Sequence, residues 1–174
     1  MKEAFIKPII VLTIICLVVS GALAVMNDIT HPVITVAAAE RAYAAMHAKI
    51  PDATAFELIE IASYNGMPGT VKEVYRTTND VGYIFIAAVN GFSGNITIIC
   101  GVDNDGRIIR TSTLSHTETK GIGTIIEQQS FLGAFEGKDR ALEGVDTVTG
   151  ATISTRAFIF AINDIHEAFA IIRN

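Results

Sequence analysis

The stretch NITIICGVDNDGRIIRTSTL, residues 95–114, decides the fold of this chain of 174 residues. Residues 95–102 and 107–114 alternate or run apolar, as the strands of a half-buried sheet do. Asp103-Asn104-Asp105-Gly106 between them is a strong β-hairpin signal, because Asp, Asn and Gly tolerate a tight turn. The stretch therefore predicts two antiparallel strands joined by a hairpin.

Two further apolar runs precede this hairpin, at residues 71–76 and 81–89. Asn79-Asp80 separates them, and residues 90–94 separate the second run from the hairpin. This regular spacing is typical of an antiparallel meander. The sequence therefore predicts a four-stranded antiparallel sheet.

The covers of this sheet are predicted to be helices over residues 119–128 and 154–172, because a sheet with one apolar face has to be covered. The apolar residues of the second helix have the spacing of one buried stripe: Phe158, Ile162, Ile165, Phe169 and Ile172. An antiparallel sheet covered by helices belongs to the α+β class.

Before the sheet, residues 27–69 are predicted to form a helical stalk and a connecting segment. Residues 37–49 are rich in alanine and end before Pro51, which favours a helix there. Asp52 is a candidate N-cap for a further short segment. The main domain is predicted to span residues 70–174.

The beginning of the chain has the composition of a membrane-spanning helix. Residues 8–26 are uncharged and almost wholly apolar, and a helix needs about 20 such residues to cross a bilayer. Lys2 and Lys7 precede this run, so the positive-inside rule places residues 1–7 in the cytoplasm and the domain on the extracytoplasmic side of the cell (inner) membrane. A cleaved signal peptide is the alternative, because Ala22-Leu23-Ala24 fits a cleavage site.

The composition argues against several classes of function. A net charge of −5 indicates no basic surface for nucleic acid. The four histidines are scattered without chelating spacing, so no metal site is predicted. Cys16 lies in the apolar run and Cys100 in a predicted strand, so no disulfide is expected.

A polar stretch immediately before the last helix, DTVTGATIST at residues 146–155, predicts an anion site. Gly150 and Ala151 leave room for a bulky group near the backbone, and the first amides of a helix have no partners within it. The helix dipole adds partial positive charge, which favours a phosphate beside the Thr152 hydroxyl. An ordinary N-cap at Thr152 or Ser154 is the alternative.

A second polar block, HTETKGIG at residues 116–123, follows the last predicted strand. Together with TGATIST at 149–155, it resembles the FMN-binding domain of membrane redox pumps, which carries H-x-E-T-P-G-L-G followed by S-G-A-T-x-[ST]. Residues 91–97, GFSGNIT, are similar to the strand segment that precedes these motifs in the family. Two departures are visible, because Lys120 stands in place of Pro and Thr149 in place of Ser.

The resemblance implies covalent FMN, held by a phosphoester on Thr152, with Glu118 and Thr119 beside the flavin ring. The cofactor-binding residues that it implies are Thr152, Glu118, Thr119, Gly121, Gly123, Thr149, Gly150 and Ala151. His116 is a candidate for tuning the flavin potential. Lys120 and Arg156 are candidates for neutralising the phosphate, with solvated surface positions as the alternative for all three.

A threonine hydroxyl is a weak nucleophile, so a separate enzyme is expected to attach the flavin. The resemblance implies a magnesium-dependent flavin transferase that moves FMN from FAD onto Thr152. Its recognition pattern, D-x-x-[ST]-G-A-T, corresponds here to Asp146, Thr149, Gly150 and Ala151. An ordinary turn residue is the alternative for Asp146. Thr152 is thus predicted to be an attachment site, and no catalytic residue is predicted.

The function that follows is electron transport, with no complete active site on this chain. No G-x-G-x-x-G and no iron-sulfur cysteines are present, so electrons have to come from and go to partner proteins. The chain most resembles the G subunit of Rnf-type complexes, ion-translocating ferredoxin:NAD oxidoreductases with membrane and iron-sulfur subunits. The alternatives are the C subunit of the sodium-translocating NADH:quinone reductase and an unflavinylated, membrane-anchored scaffold domain.

Overall fold

The computed structural model describes the backbone of residues 2–173 and the side chains of residues 11–27, 30 and 40–173. The chain begins with helix α1, Lys2–Lys49. It divides into two compact units between Tyr43 and Ala44. The helix predicted over residues 37–49 is confirmed as the last part of α1.

The predicted membrane span, residues 8–26, lies within α1, although the side chains of residues 8–10 fall outside the described part of the chain. Among the residues that the structure describes, no helix combines the length and the apolar character that crossing a membrane requires. The placement of residues 1–7 and of the domain relative to a membrane stays a prediction.

The second unit is built on a five-stranded sheet in the order β1-β2-β3-β4-β5. Its strands are β1 Phe56–Ile59, β2 Val71–Thr77, β3 Tyr83–Asn90, β4 Asn95–Val102 and β5 Ile108–His116. Every neighbouring pair is antiparallel. The predicted meander is confirmed, and the hairpin at residues 103–106 joins β4 to β5.

Two sequence expectations about local structure are wrong. Asp52 does not begin a helical segment, because residues 56–59 pair with β2 as an edge strand, from Phe56 opposite Thr77 to Ile59 opposite Val74. The helix predicted over 119–128 is reduced to a 3-10 helix, Gly123–Glu127. The glycines of this segment favour a turn over a continuous helix.

Helix α3, Thr152–Arg173, covers one face of the sheet as predicted. Phe158, Ile162 and Ile165 are wholly buried in one apolar cluster with alternate residues of β3 and β4. Between β5 and α3 the chain forms the short helix α2, Gln129–Leu132, and a 3-10 helix, Gly133–Phe135. The sheet, α2 and α3 together confirm an α+β fold.

The opposite face of the sheet is covered by the end of α1 and the residues that follow it. A side chain at Gly101 would meet Ile50 Cγ1 at 3.0 Å and Lys49 Cβ at 3.1 Å, so the backbone of β4 lies close against this segment. Ile84 and Ile99 on this face are wholly buried. β3 and β4 are thus buried on both faces. An accessible site on this sheet is therefore expected at its ends, where the loops lie.

Candidate functional site

A cavity of about 390 Å³ lies where three loop segments meet at one end of the sheet. The first segment is the turn between β3 and β4, the second follows β5, and the third is the first turn of α3. The lining residues are Phe92, Glu118, Thr119, Ile122, Gly123, Gly150, Ala151, Thr152, Ile153 and Ser154. The two sequence motifs, which are remote from each other along the chain, therefore converge on one cavity.

The segment after β5 turns at Lys120. The amide of Ile122 donates to the Thr119 carbonyl at 3.2 Å, and Gly121 has a φ of +80°. A positive φ at the third residue of a turn is the requirement of a type II turn, in which Pro is common at the second residue. Lys120 occupies that second position, so the turn forms here with a residue other than Pro.

The segment before α3 turns at Gly150, which has a φ of +88°. The Ala151 amide donates to the Val148 carbonyl at 3.0 Å, and the Thr155 amide donates to the Ala151 carbonyl at 3.0 Å. Because Thr155 forms this first bond of the helix, the amides of residues 152–154 precede the intrahelical pattern. The first turn of α3, whose amides have no partners within the helix, thus lines the cavity with the positive end of the helix dipole.

Thr152 is the first residue of α3, and its side chain is half-buried in the cavity wall. Its hydroxyl donates a weak hydrogen bond to the Val148 carbonyl at 3.5 Å. The alternative that Thr152 or Ser154 is an ordinary N-cap does not hold, because both lie inside the helix. Thr155, also inside the helix, accepts the Val148 amide on its hydroxyl at 3.2 Å.

Glu118 is the buried carboxylate of the cavity, with 7% of its surface exposed. Its Oε1 accepts the Ser93 amide at 3.0 Å, and its Oε2 accepts the hydroxyl of Ser154. The Glu118 amide in turn donates to His116 Nδ1 at 3.0 Å. These contacts join all three segments of the cavity through one side chain.

The remaining predicted residues divide between the cavity wall and the surface around it. Thr119 lines the cavity, and its hydroxyl lies 3.1 Å from the Ser93 hydroxyl. Gly121 and Thr149 are exposed beside the cavity and do not line it. Asp146 lies outside the cavity wall as well, and its carboxylate accepts the Thr147 amide at 2.6 Å.

The other three candidates, His116, Lys120 and Arg156, do not line the cavity. His116 Nε2 lies 2.9 Å from Glu127 Oε1, so this ring bridges Glu127 and the Glu118 amide. Lys120 and Arg156 are exposed. The solvated surface position is therefore the better interpretation of Lys120 and Arg156.

Sequence reasoning missed the apolar side chains of the cavity and one buried hydroxyl. Phe92, Ile122 and Ile153 are 67%, 56% and 55% exposed while lining the cavity. Exposed large apolar side chains around a concave site indicate a surface for an apolar ligand or partner. Ser154 is buried, and its place in the S-G-A-T-x-[ST] pattern is the signal that could have found it.

Comparison with known proteins gives consistent relatives. The chain is 28% identical over 186 residues to the G subunit of the ion-translocating oxidoreductase complex of Shewanella piezotolerans, covering 93% of this chain and 88% of that protein. It is 29% identical to the protein of the same name from Methanosarcina acetivorans, covering 90% of each chain. It is 27% identical to the G subunit of the proton-translocating ferredoxin:NAD(+) oxidoreductase complex of Clostridium ljungdahlii, covering 90% of this chain and 86% of that protein.

Among solved structures, the chain is similar to Shewanella oneidensis NqrC, with a TM-score of 0.49 and 18% identity over 67% of this chain and 75% of that chain. Residues 91–167, which include all three segments of the cavity, match the FMN-binding domain family. The chain is therefore similar to the FMN-binding domain family over residues 91–167 and, over about nine tenths of its length, to the G subunits of ion-translocating oxidoreductase complexes.

Proposed function

We propose that this chain is an electron-carrying subunit of an Rnf-type, ion-translocating ferredoxin:NAD oxidoreductase complex, and that it carries FMN covalently on Thr152. The observation that supports this most is the position of the Thr152 hydroxyl. It lies at the N-terminus of α3, in the wall of a cavity that both flavin motifs line.

The chemistry of the cavity fits the two parts of FMN. The amides of residues 152–154 and the helix dipole favour the phosphate. Phe92, Ile122 and Ile153 offer apolar surface to a flavin ring. A Cβ at Gly150 would meet no atom within 4 Å, so this turn leaves room for the ring. FMN supplies electron transfer when bound, and the chain supplies its position and surroundings.

Attachment requires a separate enzyme, because among the described residues no base contacts the Thr152 hydroxyl. That hydroxyl donates only to a backbone carbonyl, at 3.5 Å, and an unactivated threonine is a weak nucleophile. A flavin transferase would form the bond from Thr152 Oγ to the FMN phosphorus of FAD. The pyrophosphate bond breaks, AMP leaves and the hydroxyl proton is released. Thr149, which belongs to the pattern that the flavin transferase would recognise, is exposed and therefore accessible to that enzyme.

The attachment is tested by co-expressing the chain with a flavin transferase and recording flavin fluorescence in a denaturing gel. The wild-type band is expected to fluoresce under ultraviolet light, and Thr152→Ala is expected to be dark. Thr147→Ala is the matched control, because Thr147 precedes the same turn but does not line the cavity. A dark wild-type band would support the scaffold alternative.

The relatives favour the Rnf-type complex over the sodium-translocating NADH:quinone reductase. The names of the three relatives describe the G subunit of ion-translocating complexes, and one of these complexes is a ferredoxin:NAD(+) oxidoreductase. The intact complex is therefore expected to exchange electrons with reduced ferredoxin. Reduction of quinone by NADH in the purified complex would favour the reductase instead.

Placement at the cell membrane belongs to the same proposal, since it rests on the sequence of residues 8–26 and on the resemblance to membrane redox pumps. The chain is expected in the membrane fraction after an alkaline carbonate wash. A domain on the extracytoplasmic side is expected to be digested by protease added to intact spheroplasts. Release by the wash would contradict the membrane anchor. Protection from the protease would contradict the proposed orientation.

A further inference from the structure

We propose that Glu118 and Ser154 act as a pair of positioning residues, here called the clamp, which holds the first turn of α3 in the geometry that flavin attachment at Thr152 requires. The proposal rests on the proposed function for its flavin readout. Its structural part concerns the chain alone and can be tested without flavin.

The clamp is a buried contact between remote parts of the chain. Glu118 and Ser154 are 7% and 2% exposed and lie 36 residues apart in sequence. The Ser154 hydroxyl donates to Glu118 Oε2, and the Ser93 amide donates to Glu118 Oε1 at 3.0 Å. Both carboxylate oxygens therefore have partners within the chain, so Glu118 does not need a flavin contact to satisfy them.

The surrounding backbone leaves Glu118 little freedom. A Cβ at Gly123 would lie 2.6 Å from Glu118 Oε2 and 2.7 Å from Glu118 Cβ. A Cβ at Gly91 would overlap Glu118 Oε1. Two glycines on different loops thus make room for one side chain, which indicates that the position of this carboxylate is a built feature of the site.

The clamp acts on Thr152 through the backbone of the helix. Ser154 is two residues after Thr152, within the same first turn, so holding its side chain restrains the backbone from which the Thr152 side chain and the neighbouring amides project. Buried hydrogen bonds of a carboxylate are stronger than neutral ones, and leaving one partner unmet is costly. Loss of the clamp is therefore expected to loosen this turn first.

Substitutions separate the hydroxyl from the volume of the side chain. Ser154→Ala removes the donor, whereas Ser154→Thr retains it. Glu118→Ala removes both acceptors. Ser130→Ala is the matched control, because Ser130 is exposed at the beginning of α2 and does not line the cavity.

The first measurement is the rate of flavin attachment by a purified flavin transferase with FAD and magnesium. Ser154→Ala and Glu118→Ala are each expected to lower kcat/KM by about 10- to 100-fold, since small misplacements of a reacting group have effects of this order. The double variant is expected to lose no more than the worse single variant, because both remove the same contact. Ser154→Thr is expected to stay within about threefold of wild type, a change below about 1 kcal/mol.

The second measurement is amide hydrogen exchange in the flavin-free chain. Ser154→Ala is expected to speed exchange at residues 155–157 while β3 and β4 keep the wild-type rates. Unchanged exchange at this turn, uniform acceleration throughout the domain, or losses that multiply in the double variant would each overturn the clamp. A wild-type chain that accepts no flavin overturns the proposed function instead, and hydrogen exchange still decides the clamp.

Discussion

The centre of the sheet and the cavity at its end use similar side chains for opposite purposes. Phe85 on β3 is wholly buried and packs edge-on against Phe169 of α3, with ring centroids 6.5 Å apart. Phe92, in the turn after β3, is 67% exposed and lines the cavity. Burial stabilises the fold at the first position, and exposure leaves the second available to a ligand. The sheet therefore holds the buried packing, and the loops at its end hold the exposed surface of the candidate site.

The largest effect is expected from removing a buried aromatic ring from the sheet. Phe85→Ala is expected to lower the free energy of unfolding by about 3–5 kcal/mol, because a buried aromatic ring is lost and a cavity is left. The loss of stability is measured by urea denaturation of the full chain, monitored through a signal from the sheet domain. Phe92→Ala is the matched control and is expected to change stability by no more than about 0.5 kcal/mol. Equal losses at the two positions would remove the distinction between the regions.

A smaller effect is expected at the cavity. Gly123→Ala would place a Cβ 2.6 Å from Glu118 Oε2 and 3.2 Å from Ser154 Oγ, so a loss of about 1–3 kcal/mol is expected from overpacking. Gly133→Ala is the control, because its φ is −64° and the nearest atom to the new Cβ is the side-chain nitrogen of Gln129 at 3.4 Å. The urea midpoint of Gly133→Ala is expected to match or exceed that of wild type. A Gly123→Ala variant as stable as Gly133→Ala would show that the loops around Gly123 accommodate the new Cβ without loss of stability.

The smallest effect is expected from a single titrating group on the sheet side of α3. Burial first, and then Arg140, lowers the pKa of His166 below its usual 6.5, while Asp139 opposes the shift. The unfolded chain therefore binds a proton at His166 more readily than the folded chain does. The stability that the neutral His166 contributes is fully present above pH 6.5 and is lost as the pH falls below it. Among the described residues, His166 Nε2 has no hydrogen-bond partner.

This pH dependence of stability is measured as the urea midpoint about one pH unit above and about one pH unit below the usual pKa of histidine. Wild type is expected to lose more stability on acidification than His166→Gln, which cannot take up the proton. A parallel loss in the two proteins would mean that His166 titrates alike in the folded and unfolded chain.

Much of the fold can be predicted because the strands are long enough to show a period of two. The sequence predicts a strand over residues 95–102, and β4 forms there without any shift of its ends. Strand β1 cannot be predicted, since four residues show no reliable period and its pairing with β2 depends on the edge of the completed sheet. The glycines at 121 and 123 break the beginning of the helix predicted over residues 119–128.

The site can be predicted as two motifs but not as a set of contacts. The resemblance places Glu118 beside the flavin, whereas its oxygens contact Ser93 and Ser154, 25 and 36 residues away in sequence. Such contacts follow from how β3, β5 and α3 pack, which no local pattern encodes. The apolar residues of the cavity wall, Phe92, Ile122 and Ile153, lie within the quoted segments, but no local pattern shows that they meet in one cavity.

Covalent attachment at Thr152 is tested most directly by the intact mass of the chain, purified with its native complex and then unfolded. Covalent attachment predicts a mass raised by one FMN less one water, and fragmentation that assigns the added group to Thr152. A polypeptide of unmodified mass, or flavin that separates on unfolding, would contradict covalent attachment and with it the assignment of this chain as a tethered electron carrier.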